Sequence, residues 1–259
     1  MAGIKITAKG ASFVGRAVTV NLPLTEGLIG SYFGGDGALA NMVKNGASAT
    51  LVGSPASLNA YATELDKNNY VDTGILPDTV ESTLFVVTKR FRGAAYSEPL
   101  GCWTNSISGG AAILGRALLL TPNGGVQAIL NTYSSAANAT ATASASLAAD
   151  TGIPNPSATP DSGVWRALVQ RISSIKNEVR DLTAGTHAEL TYTEGYLPDT
   201  RGVESFKLGL PKTASLDGSG KSHVMMAFLF NRALTDDELS VLYDYAKSYA
   251  SREWRNQII

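Results

Sequence analysis

The spacing of hydrophobic and polar residues changes once near the C-terminus, and this change predicts a strand followed by a helix. Val224 to Phe230 is almost wholly apolar and has the length of a buried strand. Thr235 and Glu238 have the spacing of a capping box, in which each side chain satisfies a backbone N–H at the helix start. Apolar residues then recur at helical spacing, at Leu239, Leu242, Tyr243, Ala246 and Ala250. The pattern predicts an amphipathic helix that packs on the rest of the chain.

Shorter apolar runs fill the middle of the chain and predict strands. Gly27 to Gly34 and Thr83 to Phe91 are two of them, and the second is rich in β-branched and aromatic residues. Pro122 to Gly125 is a strong turn signal between the runs Ala117 to Leu120 and Val126 to Leu130. This arrangement predicts a β-hairpin.

The run that begins at Val164 predicts another strand. Trp165, Ala167 and Val169 are expected to face one side, and Leu168 and Ile172 the other. Residues 175–182 follow as its partner strand after a short turn.

Residues 134–149, SSAANATATASASLAA, have the composition of a flexible linker. Threonines and serines at even positions nevertheless alternate with alanines, which is the period of a strand that turns small side chains inward. The helix propensity of alanine opposes this interpretation, but the hydroxyl residues weaken it. We predict a strand here, and a long loop over residues 152–163, which contain three prolines.

The C-terminal sequence FLFNRALTDDELSVLY resembles the closing signature of concanavalin A-like, laminin-G-like domains. Upstream blocks stand in the family's order, at Tyr32-Phe33, Asn45-Gly46, residues 50–53, residues 69–74 and residues 163–169. In the last block Arg166-Ala167 replaces two histidines that are frequent in the family. The resemblance implies an all-β fold, a two-sheet antiparallel jelly-roll sandwich with a C-terminal α-helix, over residues 27–259. We expect that helix to cap an open end or edge.

Residues 1–26 lie outside the predicted sandwich. Their sequence resembles a short leader that precedes such domains in some bacteriophage virion proteins. The segment is therefore predicted to be an N-terminal arm for attachment, and an extra edge strand is the alternative.

Length and charge narrow the classes of function. A chain of 259 residues suits one large β domain. A net charge of −1 predicts no binding to nucleic acid, and no apolar run is long enough to insert in a membrane. Cys102 is the only cysteine, so no disulfide forms within one chain. We expect a soluble protein made in the host cytoplasm and located in the virion.

The first functional hypothesis is a non-catalytic module of a phage tail fibre or related receptor-binding protein that recognises host-surface glycan. Sugar binding needs an aromatic ring for the apolar face of a pyranose and planar polar groups for its hydroxyls. The candidate ligand-binding residues, which lie in or beside predicted loops, are Tyr96, Trp103, Asn105, Asn131 and Tyr133. For Trp103, beside Cys102, partly buried packing is the alternative interpretation.

Two other hypotheses remain open. One is a structural or decoration virion protein that uses the sandwich for protein–protein contacts, as a homo-oligomer and, by analogy with phage fibres, a trimer. The other is a glycan-cleaving enzyme. Related retaining glucanases hold two catalytic carboxylates on a Glu-X-Asp-X-X-Glu strand. The nearest fragment begins at Glu64 and has Asn69 where the second glutamate is needed, so we predict no catalysis.

No cofactor is predicted, although calcium at the rim of the sandwich is left open. Jelly-roll domains often bind calcium through loop oxygen atoms. Asp36, Asp66, Asp72 and Asp217 are loop carboxylates of the required kind. They are scattered along the chain, so no ligand set is predicted.

Overall fold

The computed structural model describes residues 22–35, 39–92, 95–106, 112–149, 153, 163–209 and 220–251. Strands in the first half of these ranges are β1 (Leu28–Phe33), β2 (Thr50–Val52), β3 (Ala56–Asn59), β4 (Ala62–Leu65), β5 (Tyr70–Asp72), β6 (Ser82–Arg90), β7 (Ser97–Gly101), β8 (Thr104–Ser106) and β9 (Ala112–Leu114). Those in the second half are β10 (Ala117–Leu120), β11 (Val126–Ser134), β12 (Ala139–Leu147), β13 (Val164–Ile172), β14 (Lys176–Asp181), β15 (Thr186–Thr191), β16 (Leu197–Pro198), β17 (Lys207–Leu208) and β18 (Ser222–Phe230). One helix, α1 (Asp236–Ala250), follows them.

Two eight-stranded sheets contain most of these strands. Sheet A has the order β15-β14-β13-β6-β18-β4-β3, and β1 pairs with the other part of β18. Sheet B has the order β12-β11-β10-β7-β17-β5-β2, and β16 pairs with the end of β11. Strands β8 and β9 form a separate hairpin. The predicted two-sheet antiparallel jelly-roll sandwich with a C-terminal α-helix is therefore confirmed.

The main core lies between the two sheets. Leu84 and Val86 of β6 face the alternate residues Leu118 and Leu120 of β10, and all four are buried in one cluster. Strand β12 confirms the strand predicted in residues 134–149. Its inner alanines, among them Ala143, are buried, whereas its threonines and serines point outward. The hairpin of β10 and β11 is also confirmed.

A second apolar layer covers the outer face of sheet A. Trp165, Ala167 and Val169 of β13 point to this face, while Leu168 and Ile172 point into the main core, as predicted. All nine residues of β18 are buried, because both faces of that strand are covered. Helix α1 supplies the cover through Leu239, Leu242, Ala246, Tyr249 and Ala250.

The expected position of the helix was therefore wrong. Helix α1 lies across the outer face of sheet A and does not cap an end or edge of the sandwich. The physical reason lies in β6, β13 and β18, which are apolar on both faces. A sheet whose two faces are both apolar needs a layer on each side to exclude water.

Polar contacts fix the start of α1. The Thr235 side chain accepts a hydrogen bond from the Glu238 N–H, and the Glu238 carboxylate accepts one from the Thr235 N–H, so the predicted capping box is confirmed. Arg171 of β13 bridges Glu178 and Asp236, and its guanidinium also donates to the Leu234 carbonyl at 3.0 Å. These contacts attach the first turn of the helix to sheet A.

Several predictions fall partly outside the described residues. Of the N-terminal arm only residues 22–26 are described, and there Leu22 and Leu24 pack against the layer under α1. Most of the loop predicted at residues 152–163 is likewise outside. Among the described residues, no helix is long and apolar enough to cross a membrane.

Candidate functional site

The outer face of sheet B has no helix layer in the described structure and is the candidate site. Strand β11 turns Ala128 and Leu130 into the main core, so the alternate residues Ile129, Asn131 and Tyr133 form a row on the outer face. The neighbouring strand β12 adds its outward hydroxyl residues to this face. The result is a surface that combines an aromatic ring with amide and hydroxyl groups.

Tyr133 stands at one end of the row in a fixed orientation. Its hydroxyl donates to Asn138 Oδ1 at 3.1 Å. Asn138 has a φ of 46° in the turn that joins β11 to β12, a conformation that asparagine tolerates better than most residues. The guanidinium carbon of Arg201 lies 3.5 Å from the centre of the Tyr133 ring. Such stacking combines cation–π attraction with the packing of two planar groups.

Asp199 holds Arg201 in place. Arg201 Nε donates to Asp199 Oδ1 at 2.9 Å, and Nη2 donates to Oδ2 at 2.7 Å, which is a bidentate pair. The Asp199 N–H donates to the Asn131 carbonyl, so the backbone of the site is linked to β11. Burial raises the pKa of Asp199, but the hydrogen bonds from Arg201 outweigh it and the net pKa is lowered. We call Tyr133, Arg201 and Asp199 the Tyr133 stack.

Tyr96 and Trp103 lie at the other end of the outer row. Both are partly buried against a small apolar cluster of Ala117, Leu119 and Ile129, and we call these five residues the Trp103 cluster. Ile129 and Tyr133 are four residues apart on one strand, so the two ends are separated by roughly 14 Å.

A carboxyl group lies buried beside the Trp103 cluster. Glu98 Oε1 accepts a hydrogen bond from the Trp103 N–H at 3.2 Å, and the residue is 1% exposed. Burial raises the pKa of Glu98 to about 8, although the Trp103 N–H and the charge of Lys207 oppose the shift. A side chain at Gly101 would place its Cβ 2.5 Å from Glu98 Oε1, so only glycine permits this approach.

The structure places four of the five predicted site residues along this outer face, in two groups. Tyr96 and Trp103 belong to the Trp103 cluster, where the packing alternative describes Trp103 well. Tyr133 belongs to the Tyr133 stack, and Asn131, two residues before it on β11, is buried at 8% exposure. Asn105 is in β8, opposite Ile113, and its side chain is outside the described part of the structure. Whether these residues bind a ligand stays a prediction.

Sequence reasoning missed Arg201, Asp199 and Glu98. Arg201 and Asp199 are more than 60 positions from Tyr133 and meet it only because β16 pairs with the end of β11. The spacing Asp-X-Arg at residues 199–201 is too common to identify a site. Glu98 lies in a short strand with mixed polarity, which gives no sign of its burial.

The loop carboxylates that were left open as calcium ligands accept hydrogen bonds from the protein where they are described. Asp66 Oδ1 accepts from the N–H groups of Asn68 and Asn69, and Asp72 Oδ1 accepts from the Gly74 N–H and the Ser205 hydroxyl. Asp36 and Asp217 are outside the described residues. Within the described ranges, no three His, Cys, Asp or Glu side chains are grouped as a metal site would require.

Comparison with solved structures finds the same fold in much larger chains. A binding domain of botulinum neurotoxin DC, in complex with SialylT, superposes with a TM-score of 0.59 at 9% identity over 85% of this chain and 51% of its own. The botulinum neurotoxin serotype D binding domain gives a TM-score of 0.58 at 10% identity over 85% and 52%. A Trypanosoma rangeli sialidase in complex with sialic acid gives 0.55 at 15% identity over 85% and 33%.

These similarities show a shared β-sandwich fold. At such low identity they carry no residue roles, and the chain spans about half the length of the neurotoxin binding-domain chains and a third of the sialidase chain. No protein-family model matches the sequence, and no curated protein matches it either.

Proposed function

We propose that this protein is a non-catalytic binding module that recognises host-surface glycan through the outer face of sheet B. The observation that carries the proposal is the Tyr133 stack, a partly exposed aromatic ring held by Arg201 and by Asn138 beside the hydroxyl residues of β12. A pyranose presents an apolar face that stacks on a ring and hydroxyls that need planar partners. The face carries both kinds of group, and because Arg201 already covers one side of the Tyr133 ring, a pyranose would use the other side.

Rigid placement of the ring favours binding. The Tyr133 hydroxyl is held by a hydrogen bond, and two hydrogen bonds hold Arg201 to Asp199. Both groups are therefore fixed before any ligand arrives. Less side-chain entropy is then lost when a ligand is bound. The solved structures give supporting analogy, since a neurotoxin binding domain with SialylT and a sialidase with sialic acid share the fold.

A glycan-cleaving role finds less support in the geometry. Glu64 accepts a hydrogen bond from Lys221 and contacts His223 Nε2 at 3.1 Å, and Asp66 is held in a turn by Asn69. The fragment that resembles a glucanase motif therefore has its carboxylates engaged in other contacts. Glu98 has a raised pKa, but the charged side chain that acts on it is Lys207. A retaining mechanism needs instead a second carboxylate about 5–5.5 Å away.

The wider context in the proposal is a bacteriophage virion. The chain would be a tail fibre or receptor-binding component that contacts other virion proteins and assembles as a homo-oligomer, by analogy a trimer. The support is the resemblance of the N-terminal segment to a leader found in some bacteriophage virion proteins. Mass spectrometry of purified particles and light scattering of the isolated protein test these two points.

A second candidate function is protein–protein contact at the opposite side of the sandwich. Strands β2 and β3 are the last strands of their sheets, and Leu51 and Leu58 on them are exposed. An edge strand offers backbone hydrogen-bonding groups to another chain, and exposed leucines favour its coverage. A Leu51→Lys variant with an altered oligomeric state would support this candidate.

Binding of the whole chain to a glycan array and to host cells tests the main proposal. We expect binding that falls at least about tenfold in Tyr133→Ala. The matched control is Tyr243→Ala, because Tyr243 lies under Lys247 on helix α1 and is a second cation-stacked tyrosine remote from sheet B. A Trp103→Ala variant reports on the other end of the face. Binding lost in Tyr243→Ala but kept in Tyr133→Ala contradicts the proposal, and no binding by the unaltered protein favours the structural role.

A further inference from the structure

Arg201 and Asp199 of the Tyr133 stack form an ion pair, and the charge of the buried Arg116 also acts on Asp199. Arg201 directs Nε and Nη2 to Asp199, and its backbone N–H also donates to Asp199 Oδ1 at 3.0 Å. The two oxygen atoms of Asp199 are thereby occupied by one arginine. The Arg201 side chain is 34% exposed and that of Asp199 is 1% exposed, so a carboxylate on a ligand would meet a guanidinium whose charge is already paired with a buried carboxylate.

The surface next to the stack carries no charged side chain on the outward rows of β11 and β12. These rows consist of amide and hydroxyl residues, together with Tyr133 and Ile129: Gln127, Asn131, Thr140, Thr142, Ser144 and Ser146. Gln127 Nε2 donates to Ser144 Oγ at 2.7 Å, so part of this surface is already ordered. Amides and hydroxyls both donate and accept hydrogen bonds, which suits sugar hydroxyls.

The Trp103 end of the face adds little positive charge. Lys207 is the lysine whose charge acts on Glu98, and its side chain is 12% exposed. Its Nζ contacts Glu204 Oε2 at 3.4 Å and the Ser205 carbonyl at 3.2 Å. The described part of this end therefore offers a lysine that is already engaged.

We propose that the outer face of sheet B takes neutral saccharides and discriminates against acidic ones such as sialylated glycans. The inference rests on the proposed function and specifies the ligand class of the same face. Among the described residues of this face, an acidic sugar would lose hydration of its carboxylate without gaining an unpaired cation, and this loss disfavours its binding. A neutral pyranose loses less hydration, and it gains contacts with the Tyr133 ring and with the hydroxyl residues of β12.

The experiment uses the full chain and a panel of neutral oligosaccharides, each paired with the same oligosaccharide carrying one terminal sialic acid. We expect the neutral member to bind at least about tenfold more tightly within the pairs that bind. Its affinity should hold between low salt and about 0.5 M salt, because no ion pair with the ligand is screened.

A variant of Asp199, the carboxylate paired with Arg201, gives a second test. Asp199→Asn removes the charge that neutralises Arg201, so the sialylated member should gain affinity relative to its neutral partner. Asp244→Asn is the matched control, because Asp244 pairs with Lys247 beside Tyr243 on the other side of the molecule. The control should leave both affinities unchanged.

Two failures are distinguishable. Sialylated members that bind the unaltered protein as tightly as, or more tightly than, their neutral partners overturn the inference and leave the proposed glycan binding intact. Absence of binding to any member of the panel and to host cells overturns the proposed function and this inference with it. The comparison in the unaltered protein does not depend on whether Asp199→Asn folds.

Discussion

The two outer faces of the sandwich differ in what covers them. On sheet A, Phe85, Trp165 and Phe228 lie under helix α1 and are buried. On sheet B, the corresponding face carries the small Trp103 cluster, a row of hydroxyl residues and the Tyr133 stack. In the described structure, a helix therefore covers one outer face of the sandwich, whereas the other outer face has no helix over it.

The difference between the two outer faces follows from the spacing of apolar residues in their strands. Strand β18 is apolar at nearly every position and is buried on both faces, whereas β12 alternates inner alanines with outer threonines and serines. A continuous apolar strand needs cover on both faces, and an alternating one has a solvent face. The alternation therefore indicates where a ligand can reach the sheet.

The largest expected effect is on the covered face. Phe228→Ala removes a ring that contacts Phe33 and Phe85 under the helix, and it should lower the free energy of unfolding by about 3–5 kcal/mol. Ile129→Ala on the outer face of sheet B is the matched change and should cost about 2 kcal/mol, at the low end for such truncations. Urea denaturation measures both. Equal losses would contradict the asymmetry of the two faces.

The next effect comes from Glu98 and depends on pH. Its pKa of about 8 in the folded protein exceeds its ordinary value of 4.5. The folded state therefore holds more protons between these values, and stability should fall as pH rises from about 4.5 to 8. Glu98→Gln removes that fall and should be more stable than the unaltered protein at pH 9, by on the order of a few kcal/mol.

Thermal unfolding across this pH range checks the Glu98 prediction. The control is Glu194→Gln, which makes the same change at an exposed position. A Glu98→Gln profile that keeps the full slope of the unaltered protein would show that another group causes the pH dependence.

A smaller effect is expected at the start of helix α1. Thr235→Ala removes the side-chain acceptor of the Glu238 N–H and should cost about 1 kcal/mol. Chemical denaturation measures the loss, and Thr235→Ser, which keeps the acceptor, should restore most of it. Glycan binding should not change, since the cap lies on the side of sheet A. A loss of binding in Thr235→Ala would mean that the two faces are coupled.

The smallest effect on stability is expected on the hydroxyl row. Thr142→Val keeps the shape of an exposed side chain and should change the free energy of unfolding by less than about 0.5 kcal/mol. The same change should weaken glycan binding severalfold, because a hydroxyl partner is lost. Thr191→Val on the exposed strand β15 is the matched control and should alter neither property. Unchanged binding in Thr142→Val would exclude this row from the site.

Much of the fold could be predicted from the sequence because the signals are local. Alternation in residues 139–147, the turn at residues 122–125 and the capping box at Thr235 each depend on neighbours in the chain. The signal that determines the position of helix α1 is not local. It depends on the outer residues of β6, β13 and β18 together, which only the pairing of these strands brings to one face.

The candidate site was predictable only in part for the same reason. Aromatic and amide residues such as Tyr133 and Asn131 are visible as candidates in the sequence. The partners that orient Tyr133 are not, because Arg201 reaches the ring through the pairing of β16 with β11. The burial of Glu98 depends on the close approach that Gly101 permits, and no sequence pattern shows it.

The central claim is that glycan binds on the outer face of sheet B. The most direct test is an NMR titration of the isotope-labelled protein with a neutral oligosaccharide that it binds. The account predicts that amide shift changes are concentrated in β11, β12 and residues 199–201. Changes concentrated in helix α1 or in strands β2 and β3, with β11 and β12 unperturbed, would contradict it.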